Sequence, residues 1–71
     1  MKTIPERLDS LRRSIAEEME IIGMVPKPVL AERLGITLST VYLWYRKDWN
    51  ISFVGQKKIL KLEKVFKEAK K

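Results

Sequence analysis

The stretch KPVLAERLGITLSTVYLWYR, residues 27–46, has the spacing that decides the fold. Leu30, Ala31 and Leu34 share one helical face, Gly35 interrupts, Ile36 enters a second segment, and Val41 and Trp44 continue an apolar face at helical intervals. Ala31 is small where a second helix has to cross close to the first. Gly35 can take the positive φ that a tight turn after a helix demands. Thr37 can cap the second helix through its hydroxyl, an ordinary cap without a capping box, because Thr40 rather than an acidic residue stands three positions later. The stretch therefore predicts two short helices joined by a turn, a helix-turn-helix.

Upstream, Thr3-Ile4-Pro5-Glu6 is a helix start, with Thr3 as cap, Pro5 in the first turn and Glu6 reaching back to complete a capping box. Ile4, Leu8, Leu11, Ile15, Met19 and Ile22 then recur every three or four residues, which predicts one long amphipathic helix over 4–23, stopped by Gly23. At 1.5 Å per residue it would be roughly 30 Å long, enough to overhang a small domain and to offer a seam to a second subunit. Gly23, Pro26 and Pro28 mark the following turn. Downstream, Lys47-Asp48-Trp49-Asn50-Ile51-Ser52 breaks the helical pattern, with Trp49 and Ile51 as lids on the core and Ser52 as the next cap. Ile59, Leu62, Val65, Phe66 and Ala69 predict a last, lysine-rich helix over 53–70. Residues 51–61 also admit a short β-hairpin, a wing with Gly55-Gln56 at its bend, but Gly-Gln is a weak hairpin turn and the residues after it are strong helix formers. The expected architecture is a single all-α domain over 1–71, a bundle of about four helices, with the winged form as its alternative.

Seventy-one residues leave no room for a second, ligand-sensing domain, so no small-molecule ligand is expected. With neither Cys nor His, no thiolate metal site, disulfide or histidine-based acid–base pair can be built, and no cofactor or metal is expected. Glu17, Glu18 and Glu20 lack any convergent ligand and read as a solvated acidic face. Ser14, Ser39 and Ser52 have no histidine base and no glycine-rich phosphate loop is present, so the chain is not expected to be an enzyme. Neither a signal-peptide core nor a bilayer-length apolar run occurs, so the expectation is a soluble, unprocessed cytoplasmic protein without a membrane partner.

Charge is unevenly placed. Residues 1–26 carry a net −1, whereas residues 27–71 hold eleven Lys or Arg against four acids, a net +7. Positive potential thus begins where the helix-turn-helix begins, the distribution expected of a segment that meets a polyanion, although lysines also simply solubilise helix faces. A helix about 10 Å across fits a DNA major groove about 12 Å wide. With Val41 and Trp44 turned inward, Leu38, Ser39, Tyr42, Leu43 and Arg46 are the candidate base-contacting residues. An exposed leucine suits a thymine methyl, Ser39 bonds base edges or phosphate, and Arg46 suits guanine or a phosphate. Thr37 with the helix start behind it, Lys27, Lys47, Lys57 and Lys58 are the candidate phosphate contacts.

The pattern Ala31-x-x-x-Gly35-Ile36-x-x-x-x-Val41-x-x-Trp44 resembles the helix-turn-helix of the Cro and phage-repressor superfamily, over about a third of the chain. Ser52-x-x-x-Gln56 followed by Ile59-x-x-Leu62 resembles the helix after that motif in small repressors. The resemblance implies a compact helical domain, operator DNA as ligand and usually a homodimer on a two-fold symmetric site. The first helix is longer than that fold needs and a fifth helix is absent, so the family's dimer geometry does not carry over. The run Gly55-Gln56-Lys57-Lys58-Ile59 is similar to the wing of excisionases, and the motif also resembles the DNA-binding end of phage terminase small subunits. The expected function is that of a small prokaryotic, archaeal or viral transcriptional regulator, a nucleoid-associated repressor-like homodimer joined through helix 4–23. The alternatives are a DNA recombination or packaging accessory protein and a helix-turn-helix used for protein contacts.

Overall fold

The computed structural model describes residues 3–46 and 51–69, and these form four helices: α1 (Ile4–Glu18), α2 (Lys27–Leu34), α3 (Leu38–Arg46) and α4 (Phe53–Ala69). No strand occurs among the described residues. The hairpin alternative for 51–61 is thereby corrected, because Phe53 onward is continuous helix. Ser52 starts it: its Oγ accepts the Gly55 amide at 3.2 Å and its carbonyl accepts the Gln56 amide at 3.0 Å. Lys47, Asp48, Trp49 and Lys70 lie outside the described residues, so the lid role expected of Trp49 does too; Ile51 does pack, partly buried, on the core.

α1 opens as its sequence predicts, with a complete capping box between Thr3 and Glu6. Its end differs from expectation. The helix stops at Glu18, after 15 residues, not at Gly23, and is therefore only about 22 Å long. The Glu20 amide bonds the Glu17 carbonyl at 3.1 Å, the Ile21 amide bonds the Ala16 carbonyl at 2.7 Å, and Glu20 itself takes φ 60°. This is a Schellman stop with a glutamate in the left-handed position where glycine is usual. α2 ends in the same way, with Gly35 at φ 71°, its amide on Glu32 and the Ile36 amide on Ala31. One motif thus closes both helices, but only the second advertises it with a glycine. Because α1 stops early, Met19 and Ile22 leave the stripe and lie exposed, and the predicted overhang is absent.

The early stop lets the chain turn back under α1. Val25 is fully buried, its amide reaching the Arg12 carbonyl at 3.4 Å while Arg12 Nε donates to the Val25 carbonyl at 2.8 Å. Leu8, Leu11, Ile15 and Ala16 of α1 meet Leu30, Ala31 and Leu34 of α2, Val41 and Trp44 of α3, and Ile59, Leu62 and Phe66 of α4 in one core. Val65, expected on that face, stands half-exposed instead, since the buried arc of α4 is centred on Ile59, Leu62 and Phe66. Arg7 clamps Glu63 with two guanidinium bonds, the Nε bond at 3.0 Å. A turn further along both helices Leu11 and Ser14 line a groove with Phe66 and Lys67, so α1 and α4 advance side by side in one direction. Arg33 pairs with Glu18 at 2.7 Å and lies over the Phe66 ring, binding α2 to both.

α3 comes close to α4 at Gly55. A Cβ on Gly55 would stand 2.7 Å from Trp44 Cζ2 and 3.3 Å from Cη2, so the indole edge rests directly on the glycine backbone. No helix among the described residues is long and apolar enough to cross a membrane.

Candidate nucleic-acid interface

α3 has the sequence LSTVYLWYR, and its two buried side chains are Val41 and Trp44. Residues three and four apart share a helix face. Ser39, Tyr42, Leu43 and Arg46 form such a set, opposite the Val41 and Trp44 side, and all four are exposed. Leu38, grouped with them from the sequence, is half-buried at the flank of this stripe. Tyr42 and Leu43 expose 47% and 48% of their surface, an apolar centre bounded by the Ser39 hydroxyl at one end and the Arg46 guanidinium at the other. The stripe carries no acidic side chain.

The start of α3 is fixed by Thr37. Its Oγ accepts the Thr40 amide at 3.3 Å and shares a 2.8 Å hydrogen bond with the Thr40 hydroxyl. Lys58, arriving from α4, donates its ammonium to the Gly35 carbonyl at 3.1 Å, which sets a cation at the turn between α2 and α3 and against the negative end of the α2 dipole. Lys27 sits at the other end of the pair. Its Nζ lies 5.0 Å from the Tyr42 ring centre and 4.6 Å from that of Tyr45, within cation–π range of both. Lys57 is turned toward the Phe53 ring, 5.0 Å away, and does not join Lys58 at the turn. Of the candidate phosphate contacts, Lys27, Thr37 and Lys58 therefore border the α2–α3 pair, Lys57 faces elsewhere, and Lys47 lies outside the described residues.

The residue that sequence reasoning passed over is Tyr45. Its hydroxyl donates to Asp9 Oδ1 at 2.6 Å, and Arg12 Nη1 donates at 3.4 Å both to that hydroxyl and to the same carboxylate oxygen. Burial, with the Asp9 hydrogen bond second, pushes the Tyr45 phenol above its usual value. This knot ties α1 to the last turn of α3 and, through Arg12, to Val25. A faint signal existed: Tyr45 lies one residue from Trp44 and four from Val41, at the edge of the buried arc, where an amphipathic side chain keeps its ring in and its hydroxyl out. Arg33 hydrogen bonds hold the Glu18 carboxyl below its ordinary value, and Glu17, Glu18 and Glu20 are all exposed.

No family model, no curated protein and no solved structure matches the chain.

Proposed function

We propose that this chain is a sequence-specific double-stranded-DNA-binding protein that inserts α3 into the major groove, with α2 and α3 serving as its helix-turn-helix. The observation that carries the reading is the exposed stripe Ser39, Tyr42, Leu43 and Arg46, free of acid and set back to back with Val41 and Trp44. A helix held by one face and presenting the other is what groove reading needs, and α3, about 13 Å long, spans roughly four base-pair steps. Lys58 at the turn before α3 and Lys27 beside the Tyr42 and Tyr45 rings border the stripe, where they could meet the sugar-phosphate strands that line a groove. The net +7 of residues 27–71 supplies the long-range attraction.

The role is that of a small transcriptional regulator, two copies reading half-sites about 34 Å apart on one face of the duplex. Mobility shifts of full-length protein on random-sequence duplexes, at two salt concentrations, test it. Ser39→Ala and Arg46→Ala should change which sequences are retained, while Lys47→Ala weakens all of them alike and flattens the salt slope. Absence of binding even at low salt refutes the reading. It would favour the second one, a protein-contact module, for which Phe53, Val54 and Leu60 on the outer surface of α4, more than half exposed, are the supporting observation.

A further inference from the structure

The side chains that α3 offers restrict which bases it can tell apart. Bidentate adenine recognition uses Asn or Gln, and acceptance from the cytosine amino group uses Asp or Glu. α3 contains none of these four residue types. Arg46 can take guanine through two hydrogen bonds, and Ser39 donates or accepts and so chooses weakly between bases. What remains is apolar. Leu43 is 48% exposed, and its neighbours along the stripe are a short serine one turn before and a flexible arginine one turn after, so about half of its surface stands open among the described residues.

In the major groove an A·T pair differs from the others by the C5-methyl of thymine. We infer that this chain recognises A·T pairs through the thymine methyl packed on Leu43, with Arg46 fixing a guanine close by; the inference rests on the DNA reading above. Leu43 and Arg46 are separated by about 4.5 Å along the helix axis, little more than one base-pair step of about 3.4 Å, and the arginine side chain adds its own reach. The guanine therefore falls within about two base pairs of the thymine. Tyr42, beside Leu43 on the same stripe, has the Lys27 ammonium 5.0 Å from its ring centre, so the apolar contact rests on Leu43.

Uracil tests this, because it keeps every Watson–Crick and groove hydrogen-bonding atom of thymine and lacks only the methyl. Full-length protein is used to select duplexes from a random pool at low salt, and the enriched duplex is synthesised with thymine or with uracil at every A·T pair. The thymine form should bind about fourfold more tightly for each methyl seated on the protein, the ratio expected for burying one carbon. In Leu43→Ser the ratio should fall to about one, and in Arg46→Ala it should persist while guanine preference is lost. Both positions are exposed, and circular dichroism checks that the variants fold. Equal binding of the two forms by the parent protein, with one sequence still enriched, overturns the inference and leaves the DNA reading standing. A ratio that survives in Leu43→Ser overturns the assignment to that residue, since uracil would then act through duplex shape. Failure to enrich any duplex overturns the DNA reading and this inference together.

Discussion

Gly55→Ala isolates the contact that sets α3 against α4. Two effects oppose each other. Alanine favours a helix over glycine by up to about 1 kcal/mol, less near the first turn, where Gly55 stands. Against this, the new methyl would lie 2.7 Å from Trp44 Cζ2, well inside ordinary contact distance, and the indole must move by several tenths of an ångström in a packed site. Overpacking of this kind costs about 1–3 kcal/mol, so the net effect should be destabilisation of about 1 kcal/mol and a fall in Tm of about 4–8 °C. The cause can be separated from the outcome with Trp44→Phe, because phenylalanine lacks the atoms that Gly55 approaches. In that background Gly55→Ala should become neutral or mildly stabilising, and the double-mutant cycle should return the overpacking cost as a coupling of about 1–3 kcal/mol. Thermal and urea unfolding of the four proteins by circular dichroism measure it. An identical effect of Gly55→Ala in both backgrounds, or a gain in stability with Trp44 in place, refutes the reasoning.

The two Schellman stops give a paired expectation: Gly35→Ala should cost about 1–2 kcal/mol from its left-handed φ alone, with no atom within 4 Å to clash, whereas Glu20→Gly should stabilise by about 0.5–1 kcal/mol, both read from urea midpoints. Tyr45 has a pKa raised in the fold, so its contribution is complete below the unfolded tyrosine value near 10 and is lost as pH rises through the folded value. Tyr45→Phe should cost about 1 kcal/mol at neutral pH and flatten the alkaline fall in stability, followed by unfolding at stepped pH. Replacing Glu63 with Gln should cost about 0.5–1 kcal/mol through the partly buried Arg7 clamp, a loss that shrinks in high salt when melts are repeated there.

What was legible in the sequence, and what was not, follows from where each signal is stored. The start of α1, the Gly35 turn, the Thr37 and Ser52 caps and the inward set Leu30, Ala31, Leu34, Val41 and Trp44 depend on near neighbours in the chain, and each agrees with the structure. The end of α1 does not. Met19 and Ile22 continue the helical period, yet the backbone leaves it because a Schellman hydrogen-bond pair and the burial of Val25 reward the turn more than two further apolar positions reward the helix. A non-glycine residue in the left-handed region announces nothing. Tyr45 escaped notice for a related reason: its partners, Asp9 and Arg12, lie more than thirty residues away, and such distance is invisible to periodicity. For the candidate interface, helix geometry placed Ser39, Tyr42, Leu43 and Arg46 on the exposed face but also took in Leu38, which is half-buried, and the diverging directions of Lys57 and Lys58 needed the tertiary position of α4.

The side-by-side run of α1 and α4 bears on how far the α2–α3 pair can be treated as a part. Trp44 rests on Gly55, Val25 hangs from Arg12, and Arg7 holds Glu63 across 56 residues of chain. Residues 27–46 are thus braced at both ends by segments outside them, and an excised peptide or a graft onto another scaffold would lose the braces along with the flanks. Amide protons of α3 should accordingly exchange with solvent only when the entire domain opens, as slowly as those in the middle of α1.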